Sequence, residues 1–199
     1  MSFINATRAL SVTSDTPTSL DLPGLITAEP TLACADVPLF PGLFVQVTTS
    51  AVLLIDGRRG GARVAHWSPR EGSIHVAAVH GCHVVVASGA DLAYLVVRAP
   101  SDLAGTTQES AQDLAGTMLE LAGTARLDHE IACVSIGAVG AEKAPFVAVG
   151  LWGDLSVRVL RLPTLDHVIK QELPQAQVVP RAVLLCDLEG VTYLFCGLG

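Results

Sequence analysis

The feature that most constrains this chain is a hairpin unit that recurs along it. The unit is an apolar run holding a small residue, then a glycine, a short turn and a second apolar run. VVVASGADLAYLVV (Val84–Val97) and FVAVGLWGDLSVRVL (Phe146–Leu160) carry it in full. TYLFCGLG (Thr192–Gly199) repeats its first half, and VQVTTSAVLLID (Val45–Asp56) follows it more loosely, with Ser50 near the turn. Gly89 and Gly150 are 61 residues apart, and Gly150 and Gly197 are 47 apart. The longer step contains the polar segment APSDLAGTTQESAQ (Ala99–Gln112), which reads as part of an inserted loop. Without it the period falls near the roughly 40–50 residues of a propeller blade.

The rest of the chain supports the same class. Further short runs rich in β-branched residues predict strands at Arg63–Ser68, Ile74–Gly81, Ile131–Val139 and Ala182–Leu188. Turn residues separate the runs: Asp56-Gly57, Arg59-Gly60-Gly61, Glu71-Gly72, Gly153-Asp154 and Glu189-Gly190. HVVVASG and FVAVGLW are apolar at successive positions, whereas a strand with one wet face alternates. Stacked blades cover both faces of each sheet. The expected fold is therefore all-β: a partial β-propeller of about three to four antiparallel blades, not closed. It is expected to form one domain over residues 1–199, with an inserted loop at about 99–123. One helical pattern, SAQDLAGTMLELA (Ser110–Ala122), is weakened by Gly116 and Thr117, so a short helical turn or an extended strand is expected there.

Composition removes several function classes. Half of the residues are apolar and 16% are charged, which excludes a disordered chain. Nineteen acidic against 12 basic residues leave a net charge of −7. Such a chain gains nothing from counterion release on a phosphate backbone, so no direct nucleic-acid contact is expected. Every apolar run is shorter than the roughly 20 residues of a membrane helix, so no membrane partner is expected. Met1–Leu10 has no basic start followed by an apolar block and does not read as a secretory signal. The sequon at Asn5 is accordingly expected to stay unglycosylated. Five cysteines, an odd number without a C-x-x-C pair, sit mostly in apolar runs and read as reduced thiols of the cytosol or nucleus.

Motifs for chemistry are missing from the sequence: no phosphate-cradling glycine loop and no nucleophile elbow occurs. His75, His80, Cys82 and His83 form the densest group of potential metal ligands. Strand alternation sends His80 and Cys82 to one face and His83 to the other, so turn and packing roles are expected. Asp128-His129-Glu130 reads as a loop rim, Asp166-His167 as a solvated turn, and Trp67 as core or interface. No catalytic, cofactor-binding or metal-binding residue is expected, and the chain does not read as an enzyme. Stoichiometric zinc in purified protein would favour the opposing reading, an enzyme using the histidines.

The segments LDHEIACVSI, FVAVGLWGDLSVRVLRLPTL and VVPRAVLLCDLEGVTYLFCGLG resemble the large-subunit family of the UV-damaged DNA-binding complex. The resemblance is strongest from Leu127 onward and weakest between Ser11 and Pro41. MSFINATRALSV is similar to an earlier strand of the same domain, while the stretch from Ala99 to about Gly123 departs from the pattern. The family resemblance implies three large propellers, of which these motifs match the middle one, in the adaptor of a cullin–RING ubiquitin ligase. It implies a fragment of a longer, noncatalytic scaffold of nucleus and cytoplasm. The middle propeller would dock the N-terminal region of a cullin, and substrate receptors would bind through the propellers missing here. The cullin-facing Glu and Trp of the family match Glu130 and Trp152. A tryptophan is a preferred interface anchor, and a nearby carboxylate sets register. On the residues alone, Trp152 packing between blades and Glu130 as a rim charge stay open. Arg158, Arg161 and Arg181 read as solvent-facing or salt-bridged and outside the site. The alternative is the equivalent segment of an RNA-processing subunit, from the cleavage and polyadenylation factor or the branch-site splicing factor. The GLW and VPRAVLL segments resemble the ligase adaptor more than either.

Overall fold

Turn residues cut the apolar runs into sixteen strands in the computed structural model, which describes residues 9–11, 18–98, 118–139, 144–173 and 179–199. They are β1 (Ala9–Ser11), β2 (Thr18–Leu20), β3 (Thr31–Asp36), β4 (Leu43–Thr48), β5 (Val52–Asp56) and β6 (Ala62–Trp67). Next come β7 (Val76–His80), β8 (His83–Ser88), β9 (Asp91–Arg98) and β10 (Met118–Arg126). β11 (Ile131–Val139), β12 (Ala144–Leu151), β13 (Ser156–Arg161), β14 (Asp166–Glu172), β15 (Pro180–Leu188) and β16 (Val191–Leu198) complete the set. Three four-stranded sheets follow chain order, β3-β4-β5-β6, β7-β8-β9-β10 and β11-β12-β13-β14. Two hairpins, β1-β2 and β15-β16, stand as two-stranded sheets. This is the all-β blade architecture expected from the repeat, without closure into a barrel.

The chain divides into two compact units. The first comprises residues 1–73 and 97–119 and is built on the sheet β3–β6. All five residues of β5 are buried, so this strand has no wet face. Gln46 interrupts the apolar run of β4 yet is fully buried. Its side chain accepts from the Ile26 amide at 3.0 Å and donates to the Ile26 carbonyl at 2.9 Å and to Thr31 Oγ1 at 2.8 Å. A buried amide so satisfied ties the incoming loop to the sheet without a desolvation penalty. Asp56 ends β5 and caps the following 3₁₀ turn by accepting from the Arg58 amide at 2.9 Å.

The second unit comprises residues 74–96 and 120–199 and contains the stacked sheets. Val85, Leu92 and Tyr94 of β8–β9 share a cluster with Ile131, Ile136, Val147 and Val149 of β11–β12. On the other side of β12, Ala148 joins Val157 and Val159 of β13 in a cluster with Val183 and Leu185 of β15. Odd and even positions of β12 thus face different apolar layers, which is why its sequence does not alternate. Each such buried valine or leucine contributes about 1.5–3 kcal/mol of transfer free energy.

Three details depart from the sequence expectation. Residues 118–123, the end of the expected inserted loop, belong to strand β10, so of the two expectations for Ser110–Ala122 the extended strand holds over 118–122; residues 99–117 lie outside the described residues. Asp166-His167 opens the strand β14, whose seven residues are all exposed, so it lacks the apolar alternation that marks a strand. Gly89 and Gly150 are also not equivalent. Gly89 forms the β8–β9 turn with φ of +60°, whereas Gly150 lies inside β12. The first strands of the blades start at Thr31, Val76, Ile131 and Pro180, which keeps the blade period despite that misalignment. A second regularity had no signature in the sequence. Register shifts occur between Thr31 and Ala33, Ile131 and Cys133, and Pro180 and Ala182, each just after the start of a first strand. A bulge there leaves Leu32, Ala132 and Arg181 out of the ladder and redirects their side chains.

Stacking distance is set at Gly137, where an added Cβ would sit 2.5 Å from the Leu185 carbonyl oxygen of β15. Gly137→Ala is therefore expected to destabilise by about 1–3 kcal/mol, the cost of overpacking. At Gly197 a Cβ would meet Ala182 at an ordinary 3.6 Å, so Gly197→Ala should shift stability by less than about 0.5 kcal/mol. Denaturant melts of the two variants compare them directly, and equal losses would contradict the stacked arrangement. The far face of β15–β16 exposes Leu184, Leu188, Val191, Tyr193 and Phe195, with the Tyr193 and Phe195 rings stacked at 6.0 Å. Exposed apolar surface of this kind promotes association. The double variant Leu184→Ser/Phe195→Ser is expected to lower self-association of the chain in light scattering.

Candidate partner-docking site at the Trp152 turn

Antiparallel pairing brings together the two residues singled out from the sequence. Ile131 at the start of β11 lies opposite Leu151 at the end of β12. The residues just beyond that pair are Glu130 and Trp152, and the Trp152 amide donates to the Glu130 carbonyl oxygen at 2.9 Å. Both side chains are exposed, Trp152 at 40%. Trp152 therefore does not vanish between blades, and its indole is available as an apolar anchor. Arg181, redirected by the β15 bulge, holds its guanidinium carbon 5.1 Å from the centre of the Trp152 ring. Such a cation–π contact contributes about 0.5–1 kcal/mol at an exposed position and orients the ring.

The turn behind Trp152 is tightly determined. At Gly153 an added Cβ would collide with the His129 ring, so the turn of β12–β13 lies directly on the loop that precedes β11. Leu155 in the same turn adopts φ of +50°, a conformation that an L side chain holds only when its surroundings impose it. The neighbouring side chains of the turn are tied electrostatically. Asp154 accepts from Ser156 Oγ at 2.6 Å and from an Arg158 terminal nitrogen at 2.9 Å, with Lys170 Nζ at 3.4 Å. The same Arg158 nitrogen reaches Asp128 Oδ2 at 3.1 Å. Burial alone would raise the Asp154 carboxyl. The hydrogen bonds from Ser156, Arg158 and Lys170 and the charge of Arg158 outweigh it and bring the group down to about 2. Arg158, only 5% exposed, is held in its charged form by the same partners against its own desolvation.

Because the folded-state value of Asp154 lies below its ordinary 3.8, the stabilisation is fully present above about pH 4 and is lost as pH falls toward 2. Asp154→Asn is expected to cost roughly 2 kcal/mol at pH 7, with the gap to the unmodified chain narrowing as pH falls to 3. Urea melts at pH 7 and pH 3 measure that gap, and a gap independent of pH would contradict the assignment.

Other residues considered from the sequence are placed apart from this turn. His80 and His83 are direct partners across the β7–β8 hairpin and share a face, contrary to the expected alternation, because Gly81 and Cys82 form the turn between the strands. His83 shares a 2.7 Å hydrogen bond with the Tyr94 hydroxyl and stacks on its ring. Burial, then the neighbouring His80, lowers its pKa. Cys82 Sγ lies 3.6 Å from His83 Nε2. Among the described residues no group of three or more His, Cys, Asp or Glu side chains converges as a metal site. Sequence reasoning left out Arg158 and Arg181, which the structure puts behind and over Trp152. A charge between two valines of SVRVL, on a strand buried on both faces, is the signal that could have found Arg158. Arg181 had none, because the bulge that aims it is a property of the ladder.

Comparison with known proteins agrees with the fold. The β-propeller domain of Cps50 (Swd1) from Myceliophteria thermophila superposes with a TM-score of 0.64 at 14% identity, covering 98% of this chain and 65% of that one, which supports the fold alone. The chain is 33% identical over 204 residues to DNA damage-binding protein 1 of Oryza sativa subsp. japonica, with all of this chain and 17% of that protein covered. It is 32% identical to DNA damage-binding protein 1b of Arabidopsis thaliana and 29% to DNA damage-binding protein 1 of Drosophila melanogaster, with 17% and 16% of those proteins covered. The chain thus spans about one sixth of the length of the relatives it matches. The family model for the RSE1/DDB1/CPSF1 second β-propeller matches residues 1–199, and the chain belongs to that family.

Proposed function

We propose that this propeller segment is the cullin-docking part of a noncatalytic adaptor, which links a cullin to a ubiquitin ligase acting in the DNA damage response. The observation that carries the reading is the meeting of Glu130 and Trp152. They lie on different turns, yet a backbone hydrogen bond joins the two residues, and both side chains are exposed. That pairing suits a protein partner, since an aromatic anchor supplies affinity and a charge beside it supplies register. The net charge of −7 favours such a partner over a phosphate backbone. The relatives named DNA damage-binding protein 1 support the ligase reading over the RNA-processing one. In the whole protein, substrate receptors would bind through other propellers. The five unpaired cysteines suit a nuclear and cytoplasmic protein.

The test is binding of the chain to the N-terminal region of a cullin by biolayer interferometry. Trp152→Ala is expected to weaken binding by about 2 kcal/mol, the loss of a filled anchor pocket. Glu130→Lys is expected to act mainly on the association rate, with an altered salt dependence. No binding by the unmodified chain, or unchanged binding by Trp152→Ala, would overturn the reading.

A further inference from the structure

The guanidinium of Arg158 is buried, and its polar partners are Asp154 and Asp128, not Trp152 or Glu130 themselves. One of its terminal nitrogens donates to Asp154 at 2.9 Å and to Asp128 at 3.1 Å. Asp154 is two residues beyond Trp152 on the β12–β13 turn, and Asp128 is two residues before Glu130 on the β10–β11 turn. A single cation thus joins the two turns that carry the site. It enters from β13, where Arg158 lies opposite Val149 of β12 and Lys170 of β14.

The network is a poor device for stability. Its Arg158 Nε is buried without a hydrogen-bond partner, and replacing buried ion pairs by apolar side chains of similar size is often neutral or stabilising. Asp128, for its part, is 76% exposed, so its attraction to Arg158 is weakened by solvent. What the arrangement does supply is geometry: one terminal nitrogen of a planar guanidinium is bonded to a carboxylate on each of the two turns.

We propose that Arg158, through Asp154 and Asp128, is a positioning residue that fixes the spacing of Trp152 and Glu130 for a protein partner with a matching apolar pocket and charge. The proposal rests on the docking reading above, and the experiment separates the two. In a Trp67→Phe background, which leaves Trp152 as the one tryptophan, three variants are compared: Arg158→Met, Arg158→Lys and Asp128→Asn. Each is assayed for cullin binding, for melting temperature, and for acrylamide quenching and emission of Trp152.

Arg158→Met is expected to weaken binding about tenfold and to change Trp152 quenching, with Arg158→Lys recovering part of both. Asp128→Asn removes an exposed partner and leaves the Asp154 contact, so it keeps the fold if Arg158→Met does not. It is expected to weaken binding severalfold at an unchanged melting temperature. If Asp128→Asn and Arg158→Lys bind and quench as the parent does while Trp152→Ala loses binding, the positioning role is overturned and the docking reading survives. If Trp152→Ala binds as the parent does, the docking reading fails. The quenching of Trp152 then decides alone whether Arg158 sets its geometry.

Discussion

Burial of both faces of the middle strands is the constraint on which the rest of this structure depends. A strand such as β12 can place Val147 and Val149 in one apolar layer and Ala148 in another only if a sheet lies on each side. Stacking then fixes small residues where backbones approach, as at Gly137 against β15. In each antiparallel sheet successive turns alternate between its two ends, so the loop before a first strand and the turn after the second share one end. The site at Trp152 is a product of that geometry: the turn after β12 and the loop before β11 are neighbours because β11 and β12 pair.

The site divides its work between exposed and hidden groups. Trp152, Glu130 and Arg181 face outward, whereas Arg158 and most of Asp154 lie behind them. The ion network adds a tie between the two turns, because one terminal nitrogen of Arg158 reaches Asp154 and Asp128 together. An interface made in this way presents its anchor already oriented, so less ordering has to be supplied on association.

Much of the blade pattern was legible in the residues, and the reasons differ between elements. β8, β9, β12 and β13 were readable because the middle strands of a blade are apolar at consecutive positions and end in turn residues. β14 was not, since an outer strand with every residue exposed carries no apolar alternation. β10 was half legible: composition suggested a loop, while Gly116 and Thr117 weakened the helical spacing enough to leave an extended strand as one expectation. The glycine spacing pointed to the right period while matching a turn glycine, Gly89, to a strand glycine, Gly150.

By itself the sequence determined the all-β class, the approximate blade period, and the interest of Trp152 and Glu130 through the motifs that contain them. Class and period are properties of residue type and local order, which hydrophobic periodicity records, whereas the two site residues were singled out by resemblance to a family. Tertiary structure alone decided that Trp152 and Glu130 share a backbone hydrogen bond, that a bulge aims Arg181 over the indole, and that Arg158 joins the two turns. Each of these depends on the register between strands, and register is set by which faces are buried and by what stacks on them, not by any run of neighbouring residues.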